Sequence, residues 1–141
     1  MASHKVPVMI GVGEVKNLSR KREDAIEPLQ LMLKAIRKAA CDASSSRTAE
    51  LIACIDSVSV VACSTWSYKD LPGLVSEGLG VKASHTAYSA LAGSSSVQLI
   101  DNTARVVASG QADVGIVVGG EAMASCMFLW NEFECRPFRK M

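Results

Sequence analysis

The sequence predicts an α/β domain with a mostly parallel sheet of about four strands and helices on both faces. Three observations lead there. Short runs rich in valine and isoleucine recur along the chain, each bounded by glycine, proline or polar residues. Segments with helical spacing of apolar residues separate these runs. The strand, helix, strand units are long enough for parallel crossovers, which require helices on the sheet faces.

Residues 6–12 (VPVMIGV) are the first apolar run, broken by Pro7 near its start and by glycine at its end, and read as a buried strand. Residues 17–24 form a charged connector, after which Glu27-Pro28 opens a helix. Proline fits the first turn because its missing N–H has no helical partner there. Leu29, Met32, Leu33, Ile36 and Ala40 form the core-facing stripe of this helix, while Lys34, Arg37 and Lys38 face water near its C-terminus. A serine-rich break at 43–47 and a short helical turn at 48–54 lead to the second strand, 55–62 (IDSVSVVA). Residues 70–80 read as a short helix closed by Gly80, and 86–91 as a third extended segment. A helix over 94–109 follows, with Val97, Ile100, Ala104 and Val107 as its core face. Gly110 ends it, and 114–118 (VGIVV) is the fourth strand before Gly119-Gly120. The domain is expected to span 1–127. Residues 128–141 (FLWNEFECRPFRKM) hold four of the seven aromatic residues, lack clean periodicity, and read either as a divergent tail or as a cap over a sheet edge.

The 141 residues suffice for one core of ordinary size. A net charge of +1 supplies no basic field for nucleic acid. No apolar run approaches the roughly 20 residues of a membrane span, and the first seven residues do not resemble a signal peptide, so a cytoplasmic location is expected by default. Five cysteines at 41, 54, 63, 126 and 135 include no Cys-x-x-Cys pair. With two histidines, His4 and His85, they point to mostly buried thiols rather than a disulfide framework or a metal site.

Two glycine-containing turns raise functional questions. Gly11-Val12-Gly13 follows a strand-like run, but Lys16 stands where the third glycine of a dinucleotide fingerprint belongs, so a simple strand exit is preferred. Gly93-Ser94-Ser95-Ser96 precedes a helix, where free N–H groups face an anion or a polarised carbonyl; Ser94 or Ser95 also reads as an ordinary N-cap.

The run GSSSVQLIDNTARVVASGQADVGIVVGGEAM, together with the strands at 6–12 and 55–62, resembles the N-terminal half of a thiolase. Within that superfamily it is most similar to a divergent acetyl-CoA acetyltransferase-like group related to sterol-carrier-type thiolases, as in fungi and actinobacteria. The resemblance covers 5–125 and is most specific at ASGQADV and GGEAM. It places Gly93 where thiolases carry the nucleophilic cysteine, at a helix N-terminus that favours the thiolate.

The resemblance therefore implies a truncated thiolase-like protein without its nucleophile, associated with acyl-CoA, polyketide or other secondary metabolism. The Gly-His-Pro-like and Cys-x-Gly-Gly-Gly-like motifs of a thiolase's second half do not occur in the sequence. Gly93, Ser94 and Ser95 would line an acyl or carbonyl pocket. CoA or acyl-CoA is the expected ligand, with no permanently bound cofactor. Two other readings stand beside this one. The chain is an active acyltransferase of the divergent group, in which glycine and serine at this position are usual, or it is a dimerisation module whose helix 94–109 seeks a homodimer or thiolase-like partner. Ser94 as nucleophile, or a Cys63 and His85 dyad, are the remaining catalytic candidates. Arg139-Lys140-Met141 weakly resembles a peroxisomal signal.

Overall fold

The structure is a computed structural model that describes residues 6–19 and 21–129. The expectations for the aromatic tail, Cys135 and the last three residues therefore lie mostly outside the described residues. The elements are α1 (Pro28–Ala43), α2 (Thr48–Ala53), β1 (Ser57–Val60), α3 (Leu71–Leu79), β2 (His85–Tyr88), α4 (Ser95–Ala108), β3 (Gly115–Val118) and α5 (Met123–Leu129).

The helix boundaries follow local chemistry. Glu27 is the N-cap of α1 and Pro28 occupies its first turn. Asp70 caps α3 by accepting from the Gly73 N–H at 3.0 Å. Gly80 closes α3 at φ 72° and Gly110 follows α4 at φ 74°. Each donates to the last turn, with the next residue bonding one position further back: Gly80 N to Glu77 O with Val81 N to Ser76 O, and Gly110 N to Val107 O with Gln111 N to Val106 O. This double bond pattern needs a left-handed residue, which glycine adopts without a Cβ penalty.

The sheet is fully parallel, in the order β2-β1-β3. Ser57 aligns with His85 and Gly115, and Val60 with Tyr88 and Val118. As the central strand, β1 is buried along its whole length. Its residues alternate between two different layers. Val58 and Val60 join Met32, Leu33 and Ile36 of α1 and Leu71 and Val75 of α3 in the main core. On the opposite face, Ser59 Oγ meets Thr103 Oγ1 of α4 at 2.8 Å, with both residues buried. A Cβ on Gly115 would run into the Thr103 methyl, so α4 lies directly on β3. Helices thus cover both faces, as expected.

Two expectations are corrected. Residues 6–12 form no strand, so among the described residues the sheet has three strands rather than about four. Val6, Val8, Met9, Ile10 and Val12 are 57–83 % exposed. The segment lies along α1 instead: Val12 N donates to Asp42 Oδ2 at 2.9 Å, and Lys38 Nζ donates to Glu14 O at 3.2 Å. Gly11 and Gly13 are neither a dinucleotide turn nor a strand exit. They bring this backbone against Ala39 and Ala35 of α1, where any Cβ would strike carbonyl oxygens.

The core face of α4 matches the apolar spacing only in part: Ala104 and Val107 are half-buried. Ser95, Leu99 and Thr103 are buried, while Val97 is 67 % and Ile100 44 % exposed. Serines on β1 and a glycine in β3 make a shallow sheet face that accepts small polar side chains. Of the more apolar stripe, Val97 and Ile100 are left exposed, whereas Ala104 and Val107 are half-buried. α5 was not foreseen, although Ser125 at its centre fixes the approach to α1 by accepting from Ile26 N at 3.0 Å.

Candidate functional site

All three strands point the same way, so their carboxyl ends converge on one side, where open parallel sheets bind ligands. The loops leaving β1 and β3 are fastened to each other there. Gly119 packs against Val61 so closely that a Cβ would approach its side chain to 3.0 Å. Glu121 then reaches back to the β1 loop. Its Oε1 accepts from Ser64 N at 2.7 Å and Ser64 Oγ at 2.8 Å. Its Oε2 accepts from Thr65 N at 3.0 Å, Thr65 Oγ1 at 2.5 Å and Cys63 Sγ at 3.3 Å. Thr65 Oγ1 in turn accepts from Ala122 N at 3.1 Å.

These contacts set the local electrostatics. Burial pushes the Glu121 carboxyl up, but the Ser64 backbone N–H and the Thr65, Ser64 and Cys63 side chains together outweigh it and hold the group below its usual value. Burial raises the Cys63 thiol, and the adjacent Glu121 charge adds to this against the Thr65 hydrogen bonds. Cys63 is thus a protonated, fastened thiol rather than a ready nucleophile. Burial likewise raises Tyr68, whose hydroxyl accepts from Leu29 N at 3.2 Å.

Two cavities flank this fastening. One, of about 330 Å³, lies between the loops leaving β1 and β2 and is lined by Cys63, Trp66, Tyr68, Tyr88 and Leu91. The other, of about 320 Å³, is lined by residues 15–19, Lys21, Ala25, Leu31 and residues 121–125.

Gly93 sits in the turn that opens α4, closed by Ser95 N donating to Ala92 O at 3.1 Å. It is exposed, and a Cβ there would meet no heavy atom within 4 Å. Ser94 is the N-cap residue but makes no side-chain cap bond; its Oγ accepts from Gln98 Nε2 at 3.0 Å. Ser95 is buried and donates from Oγ to Ala90 O at 2.7 Å, so it anchors the loop beside the first cavity. No imidazole, amine or carboxylate bonds either hydroxyl among the described residues.

The structure does not bring Cys63 and His85 together. His85 begins β2 at the amino end of the sheet, where its Nε2 lies 3.0 Å from Gln111 O, whereas Cys63 lies beyond the carboxyl end of β1. The length of the sheet separates them. Of the other described thiols, Cys126 is buried as expected, but Cys41 and Cys54 are exposed. Sequence reasoning missed Glu121 as the organiser of this region. The only signal was its place directly after Gly119-Gly120, which marks a strand exit but not the partner of a carboxylate.

Among the described residues, no helix is long and apolar enough to cross a membrane, and no three His, Cys, Asp or Glu side chains gather as a metal-ligand set. No family profile matches the sequence, and no curated protein does. Among solved structures, the chain is similar to a monomeric SCP2-thiolase-like protein, type 1, from Mycobacterium smegmatis, with a TM-score of 0.67 and 21 % identity. The match covers 84 % of this chain and 24 % of that one, so the chain spans about a quarter of the length of this solved relative. At that identity the likeness is one of architecture: the parallel sheet between two helical layers is a thiolase-like half-fold.

Proposed function

We propose that the chain is a thiolase-like half that engages a CoA thioester without forming an acyl-enzyme, in acyl-CoA or polyketide metabolism. The observation that carries this reading is Gly93. It occupies the turn opening α4, with open space around it and no thiol. The first N–H groups of a helix have no intrahelical acceptor and favour negative charge, so the turn suits a thioester carbonyl. Ser94 and Ser95 do not replace the nucleophile, because neither hydroxyl is bonded to a base.

Isothermal calorimetry with CoA and acetoacetyl-CoA, alongside a CoA-release assay, tests the reading. Binding without turnover is expected. Turnover would favour the active acyltransferase of the divergent group, and turnover lost in Cys63→Ser would place the nucleophile at Cys63. Absence of any binding would remove the thioester.

A second reading rests on a different observation, the exposure of Val97 and Ile100 along α4. An uncovered apolar helix face suits a dimerisation or partner-docking module. Sedimentation velocity at micromolar concentration tests it: concentration-dependent association supports the module, and a single monomeric species contradicts it.

A further inference from the structure

The fastening between the loops leaving β1 and β3 has the form of a filled anion site. Five donors from three consecutive residues converge on one carboxylate: the backbone N–H groups of Ser64 and Thr65, their two hydroxyls, and the Cys63 thiol. They divide between the two oxygens, with the Ser64 pair on Oε1 and the Thr65 pair and Cys63 on Oε2. A planar carboxylate satisfies that split. Every donor belongs to the 63–65 loop, and the one acceptor reaches them from a different strand exit on an exposed residue. The donor set is therefore complete without Glu121's backbone.

We propose that residues 63–65 form a carboxylate-binding site at the ligand end of the sheet, and that Glu121 is its tethered occupant. An external carboxylate takes the site when the Glu121 side chain swings out toward the cavity it lines. That cavity also presents Lys16 and Lys21, of which Lys16 is paired with Glu14 at 3.0 Å. The tether keeps an internal carboxylate at high effective concentration, so in the intact protein only a carboxylate held by further contacts competes. The site is self-blocked toward small anions. This inference does not depend on the thioester reading, because neither Gly93 nor CoA enters it.

Removal of the tethered group is the test, with sodium acetate as probe and sodium chloride and phosphate at matched ionic strength. The Ser64 and Thr65 amide resonances of Glu121→Ala are expected to shift saturably with acetate, at a concentration at least about tenfold lower than any response of the wild type. The thermal midpoint of the variant is expected to rise in parallel with the shift. Phosphate and chloride are expected to act more weakly, and a phosphate response equal to that of acetate would overturn the carboxylate assignment. A folded Glu121→Ala whose two amides ignore acetate would overturn the site itself. If that variant does not fold, Glu121→Gln keeps the side-chain volume but removes one acceptor oxygen. Acetate is then expected to shift its Ser64 and Thr65 amides at lower concentration than in the wild type, and an equal response would overturn the proposal.

Discussion

Thr103→Val is the most informative perturbation of α4, the helix that the Gly93 turn opens. Thr103 Oγ1 and Ser59 Oγ form a 2.8 Å hydrogen bond between two buried residues, a polar tie between the middle of α4 and the central strand. Valine matches threonine in shape, so packing against Gly115 is retained while the Ser59 hydroxyl loses its partner in a dry layer. Leaving a buried hydroxyl unsatisfied costs about 1–3 kcal/mol. Ser59→Ala is expected to cost less, because the threonine hydroxyl can turn to the carbonyl one turn back in its own helix. The double variant removes both polar groups together and is expected to recover much of the loss, giving a coupling of about 1–2 kcal/mol. Urea unfolding of the four proteins, with the denaturant slope checked for constancy, measures the cycle. A Thr103→Val cost under about 0.5 kcal/mol, or strict additivity of the two substitutions, would refute the placement of α4 on the serine face of β1.

Other outcomes follow from the same structure. Leu71→Ala, at a fully buried position between α1 and the sheet, is expected to cost about 2–5 kcal/mol in the same assay. Gly80→Ala is expected to cost roughly 1–2 kcal/mol, because its φ of 72° is strained for any side chain although the surrounding space is open. Gly93→Cys is expected to fold normally and to give a thiol titrating below about 8.5, read from the pH dependence of alkylation. Glu121 has a folded pKa lowered from its ordinary 4.5, so the stability it contributes is fully present above that value and is lost as pH falls below it. The stability gap between wild type and Glu121→Gln is therefore expected to hold from neutral pH to about 5 and to shrink below 4.5; a constant gap would remove the carboxylate from the account.

Much of the architecture was legible because it depends on local signals. Pro28, Asp70, Gly80 and Gly110 mark helix ends through backbone chemistry that acts within a few residues. The valine-rich runs at 57–60, buried along its length, and 115–118, mostly half-buried beside it, read as strands from composition alone. Residues 6–12 are likewise rich in valine, yet lie along α1 outside the sheet. An apolar run does not encode whether a sheet edge is available to pair with it, so composition could not separate the two cases.

The face of α4 was misread for a related reason. Hydrophobic spacing selects Val97, Ile100, Ala104 and Val107, of which the last two are half-buried, but the sheet face that receives the helix is built from Ser57, Ser59 and Gly115, and its buried complement is Ser95, Leu99 and Thr103. That choice is set in part by β1 serines, with Ser59 lying 44 positions from Thr103 in sequence. The Glu121 network was invisible on the same ground: its donors lie 56–58 positions upstream, in a loop without a recognisable motif. The position of Gly93 at the mouth of α4 was legible, because the glycine and serine turn and the helix it opens are adjacent in sequence.

The most direct test of the central claim is intact-mass spectrometry of the wild-type protein and Gly93→Cys after incubation with acetoacetyl-CoA. The wild type is expected to bind the thioester yet carry no covalent acyl group on any residue, while the new thiol at the mouth of α4 becomes acylated. A stable acyl adduct on the wild-type chain would contradict the account.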